Sequence, residues 1–180
     1  MSDNSLSLRF RLLAIAGVFT FVALMILYVR EFGVFSNTIG VGRLVGGSIV
    51  VALLCAGGVL YRFWERFSPW ERHLPEFFSI IVFSAAFAPL FGSLINRGLG
   101  KTAYESFEFL SETPYVATGY GLLMTGKITI YGYYLEARQA GELYRFRYKK
   151  QAYYPLTKPG DPIMLPIREG LFGVRVMELK

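Results

Sequence analysis

Three stretches of the chain carry no charge, and most of the sequence after them alternates. Leu12 to Val29, the residues between Arg43 and Arg62, and Phe77 to Asn96 hold no Asp, Glu, Lys, Arg or His. A helix needs roughly 20 apolar residues to cross the hydrocarbon core of a bilayer, and these runs meet that length. The pattern predicts membrane-spanning helices near 12–32, 43–62 and 76–96, together forming a helical domain over residues 1–97. Arg9 and Arg11 precede the first run, as basic residues precede a signal peptide's core. The run is long for such a segment, however, and Tyr28-Val29-Arg30-Glu31 is not a small-residue cleavage site. It reads as an uncleaved span. Gly33 to Gly42 is a short link to the next.

In the second run Ser48, Ala52 and Ala56 recur every fourth residue, with Gly42 and Gly46 as a further small pair. The third run repeats the device with Ser84, Ala88 and Gly92. Residues four apart share a helix face. Small faces let backbones approach closely in lipid, where packing drives association. The two stripes are expected to pack on each other. Pro75 suits the opening of the third helix. Pro89 lies inside it and is expected to kink it.

Between these spans, Trp64 and Trp70 are mixed with Arg62, Arg66 and Arg72. That mixture fits the headgroup layer, with rings at the interface and guanidinium groups on phosphate. Arg9, Arg11, Arg62, Arg66 and Arg72 fall on one side of the membrane, and Arg30, Arg43, Arg97 and Lys101 on the other. The small excess predicts a cytoplasmic N-terminus. Three spans then place the C-terminal domain on the periplasmic or exterior face of what reads as a bacterial inner (plasma) membrane.

Residues 98–121 read as a membrane-proximal connector. Lys101 to Leu110 fits a short amphipathic helix, with Ala103, Phe107 and Leu110 on one face and Glu105, Glu108 and Glu112 on another. Thr113 to Gly121 reads as a loop. From Lys127 onward the pattern is that of strands, rich in aromatic and β-branched residues, with Gly132 at a bulge. Arg138 to Gly141 forms a turn, and Glu142 to Lys150 returns as the second strand of a hairpin. Lys158-Pro159-Gly160-Asp161 has the residues of a type II turn. Ile163 to Ile167 and Phe172 to Leu179 are two further short strands. The expected fold is thus a three-helix membrane anchor followed, over 122–180, by a small antiparallel β domain, an SH3-like or OB-like barrel or curled sheet. In its basic strand, Arg145, Arg147 and Lys149 share one face with Leu143, while Tyr144, Phe146 and Tyr148 face the core.

Composition adds little to this picture. Of 180 residues 53% are hydrophobic and 17% aromatic, and nineteen Lys+Arg against thirteen Asp+Glu give a net charge of +6. In a membrane protein such a balance points to anionic lipid, and no nucleic acid is expected as a partner. Cys55 is the single cysteine, which excludes an intramolecular disulfide.

Catalytic chemistry is sparse. His73 is the only histidine, and Glu76 at i+3 is its one nearby companion. No phosphate-binding loop, nucleophile elbow or dinucleotide fingerprint is present. No catalytic residue, metal site or cofactor is expected, and the chain does not read as an enzyme. Ionisable residues are missing from the interior of every span, whereas ion-coupled transporters, proton relays and voltage sensors carry them there. Two functions fit. The first is a non-catalytic structural or accessory subunit of a larger membrane assembly, such as a secretion, conjugation, transport or respiratory machine. The alternative is a membrane-anchored binding module. Its basic β domain would meet an anionic lipid, an envelope polymer or a toxin, as an immunity-type protein does. The expected partners are other membrane subunits and the bilayer.

Overall fold

A computed structural model describes residues 8–117, 129–149, 151–170 and 173–179. Three of its helices are long and apolar enough to cross a membrane: α1 (Leu8–Phe35), α2 (Val41–Arg62) and α3 (Leu74–Gly98). α1 continues to Phe35 because the apolar pattern resumes at Phe32 after Arg30 and Glu31. The expectation that no span holds an internal charge is therefore corrected: Glu31 lies inside α1 and is buried. Two short 3-10 turns, Trp64–Phe67 and Trp70–His73, join α2 to α3. Pro75 stands in the first turn of α3, where its missing N–H costs nothing, and the helix runs unbroken through Pro89.

Two residues of the α1–α2 link form a strand, β1 (Thr38–Ile39). After α3 come β2 (Lys101–Ala117), β3 (Thr129–Gln139), β4 (Glu142–Tyr148), β5 (Pro162–Glu169) and β6 (Arg175–Met177). All pairings are antiparallel, in the order β1-β6-β5-β2-β3-β4. The sheet curls until its two edges nearly meet. There the Asn37 amide stands in for a missing ladder step. Its Nδ2 donates to the Arg147 carbonyl and its Oδ1 accepts from the Arg147 N–H, both at 2.6 Å.

The amphipathic helix expected over Lys101–Leu110 is not there. These residues open β2, the central strand, which pairs with β5 through Lys101–Glu108 and with β3 through Glu108–Ala117. The spacing of Ala103, Phe107 and Leu110 suits a helix, but Phe107 and Phe109 alternate in the strand sense and both enter the core. Ladders on both sides outweigh the local preference. Thr113 to Ala117, read as loop, extend the same strand, and 118–121 lie outside the described residues.

The expected hairpin is present, with its turn confined to Ala140 and Gly141, whose φ angles of 50° and 84° match the twist of the flanking strands. The second register shift of β2 and β3 leaves Tyr131 as the extra residue, beside Gly132. Asp161 N–H bonds the Lys158 carbonyl at 3.1 Å with Gly160 at φ 97°, as a type II turn requires.

The head's core joins Phe107, Phe109, Leu135, Ala137, Phe146, Tyr148, Ile163, Leu165, Ile167 and Met177. Ile39, from the link between the first two helices, packs against it. So small a core gains from such support. A further seat lies at the end of α3, where buried Asn96 donates to the Val174 carbonyl at 3.3 Å. Arg168 caps the same helix end by donating to the Arg97 carbonyl at 3.2 Å.

Candidate functional site

Three groups of residues are placed here by the fold. The first is the contact between α2 and α3. Ser48, Ala56, Ala88 and Gly92 are buried, and Ala52 and Ser84 half-buried. A Cβ built on Gly92 would stand 2.6 Å from Cβ of Ser48, so that crossing tolerates no side chain there. The same stripes line an apolar groove of about 600 Å3 that runs along α2 and α3, with Ser48, Ala52, Ala56, Ser84, Ala88 and Gly92 among its lining residues.

The second group joins α1 to α3 beside the head. Glu31 is buried, with its side chain 6% exposed. Ser93 Oγ donates to its Oε1 at 2.5 Å, and Arg97 Nη2 donates to Oε1 and Oε2 at 2.7 and 2.8 Å. Buried charge is tolerated only when paired and hydrogen-bonded. The sequence pattern does not single out Glu31 or its partners, because Arg30-Glu31 resembles the polar flank of a span. The return of apolar residues at Phe32 to Phe35 is the signal that places them inside one.

The third group is the outer face of β4. Arg145, Arg147 and Lys149 are exposed there, opposite buried Phe146 and Tyr148. Each cation lies over a tyrosine ring: Arg145 over Tyr134 at 4.0 Å, Arg147 over Tyr115 at 4.3 Å, and Lys149 over Tyr131 at 5.5 Å. Tyr115 can lie flat because Gly132 beneath it has no side chain. A Cβ there would come within 2.7 Å of the ring.

The three cations are not equivalent. Arg145 faces Glu136 across the ladder, Nε to Oε1 3.8 Å, so its charge has a partner. Arg147 and Lys149 meet no carboxylate among the described residues. They line, with Arg30 of α1, a crevice of about 900 Å3 between the helix end and the head. Val29, Phe32 and Gly33 form its helical wall, and Tyr115 lies on the other side. The Tyr115 hydroxyl is buried without a hydrogen-bond partner among the described residues. Sequence spacing thus finds Arg147 and Lys149, groups them with a compensated neighbour, and misses Arg30.

At the opposite end of the bundle, Trp64 and Trp70 are about half exposed. Arg62 and Arg66 approach the Phe63 ring at 6.0 and 5.6 Å, and Arg72 is exposed beside them. His73 Nδ1 lies 3.7 Å from Glu76 Oε1. Among the described residues no group of three or more His, Cys, Asp or Glu is gathered as a metal site would need. Comparison with family models, with curated proteins and with solved structures gave no match, so the functional reading rests on these residues alone.

Proposed function

We propose that the chain is a non-catalytic accessory subunit of a larger membrane assembly, holding its β domain as a fixed platform at one membrane face. One observation carries this. Of the five buried polar residues among the described side chains, Glu31, Thr38, Ser93 and Asn96 lie where the head meets the helices while Ser48 lies between α2 and α3, and Glu31, Ser93 and Asn96 bond between elements there. The loop between two spans also supplies a strand of the head's own sheet. A domain on a mobile tether has no use for such ties. A domain that must present a surface at fixed height and orientation does. The six-strand curl closed by Asn37 favours placing the head among the small SH3- or OB-like barrels. The basic belt around Arg62 to Arg72 favours a cytoplasmic N-terminus and a head on the other side. A reporter fused after Lys180 should then be non-cytoplasmic, and cytoplasmic activity would reverse the topology.

The test of the main reading is the hydrodynamic state of the full chain extracted in mild detergent at native expression. It should migrate with integral membrane partners in fixed ratio. Migration as the 20.3-kDa chain alone would overturn it. A second reading is favoured by the crevice at Arg30, Arg147 and Lys149: a binding module whose head meets an anionic partner.

A further inference from the structure

We infer that this crevice binds the headgroup of an anionic phospholipid through Arg30, Arg147 and Lys149. The inference rests on the second reading and names its ligand and its site.

Charge gives the first reason. Each of the three side chains lacks a carboxylate among the described residues, although the head pairs Arg138, Arg145, Arg168 and Arg175 with Glu108, Glu136, Glu178 and Glu105. Residues 118–128, 150, 171–172 and 180 contain no Asp or Glu, and Asp3 precedes the opposite end of α1. Cations gathered without a counter-charge at a membrane boundary attract anionic headgroups.

Geometry gives the second. The Arg147 guanidinium carbon lies 4.3 Å from the centre of the Tyr115 ring, and a guanidinium held over an aromatic ring can still offer its N–H groups to phosphate oxygens. The Asn37 amide clamps the Arg147 backbone to the segment immediately after α1. That clamp holds the head's cation beside Arg30, so the site is assembled before a ligand arrives.

The wall decides the source of the phosphate. Val29, Phe32 and Gly33 belong to the membrane-spanning helix, so a headgroup in the crevice leaves its acyl chains beside α1. A free anion makes no use of that surface.

The experiment counts phosphatidylglycerol against phosphatidylcholine retained by the full chain in native mass spectrometry from mixed micelles. Wild type should prefer the anionic lipid. Arg30→Gln/Arg147→Gln/Lys149→Gln should lower that preference about tenfold or more, as loss of several headgroup-facing cations predicts. Arg145→Gln, on the same strand face but paired with Glu136, should keep it. Arg30→Gln/Lys149→Gln leaves the clamped residue intact and covers the case in which the triple variant misfolds. It should lower the preference in the same direction. No preference in wild type would sink the second reading itself. A preference that survives in both variants would remove this site and leave that reading standing. Equal losses in Arg145→Gln would show a diffuse surface field instead of a site. Displacement of the lipid by millimolar inorganic phosphate, or by a polyglutamate peptide, would reassign the crevice to a free anion or to an acidic protein segment.

Discussion

The two ends of the helical bundle obey different rules. At the end facing the head, Ser48 presses on Gly92, Leu44 and Leu90 are fully buried, and Glu31, Ser93 and Arg97 bond across two helices. Every buried residue of α3 lies between Ala88 and Asn96, and Glu31 is the one buried residue among the described side chains of α1. At the far end only α2 keeps buried residues, Ala56 and Leu60. The physical reason is the solvent. Apolar side chains gain nothing by leaving lipid, so packing alone sets the helix spacing there. A polar group in the same place must find a partner, and finding one fixes the geometry.

The largest test of this contrast is Glu31→Ala. It strands the Arg97 guanidinium and frees Ser93, and should cost about 3–5 kcal/mol in a thermal or denaturant melt in detergent. Glu31→Gln, which keeps an acceptor for both donors, should cost clearly less. A loss no greater than that of a surface substitution would mean that α1 is held by other contacts.

Two glycines give a paired measure of smaller size. Gly92→Ala must push α2 from α3, because its Cβ would meet Ser48, and should cost about 1–3 kcal/mol. Gly57→Ala, with nothing within 4 Å of the new atom, should stay within about 0.5 kcal/mol of wild type. Equal effects would show that the two ends are packed alike.

The closure of the sheet gives a third measure. Asn37→Ala removes both bonds to Arg147 and should cost about 1–2 kcal/mol, with faster amide exchange at Arg147. Unchanged exchange would show that β4 is held without the clamp.

The smallest effect lies in the head, away from these ties. Burial, and then Glu112 and Tyr153, push the Tyr154 phenol above its ordinary value of 10. The folded state thus holds this proton more tightly than the unfolded chain. The associated stability is intact below pH 10 and is lost as pH rises through the folded value. Tyr154→Phe should flatten that alkaline decline, and a decline of equal slope in the variant would assign it to other groups.

Much of the architecture is legible in the sequence because it depends on short-range pattern. Charge-free runs of membrane length become helices whatever surrounds them, since backbone polar groups in lipid must bond within their own segment. Alternation from Thr129 to Tyr148, and Pro159-Gly160 after it, likewise name a hairpin and a turn without reference to the rest of the chain. The candidate site is half legible for the same reason. Period two puts Arg145, Arg147 and Lys149 on one face, but it says nothing about what faces them.

What tertiary structure alone decided involves partners far away in sequence. Lys101 to Ala117 became a strand because β3 and β5 flank it, a fact absent from its own spacing. Glu31 became a buried tie because Arg97, 66 residues later, reaches it. Glu136 across the ladder neutralises Arg145, while the end of α1 brings Arg30 to Arg147 and Lys149. Local sequence sets which conformations are cheap, and long-range pairing sets which charges and ladder edges are left in need of a partner.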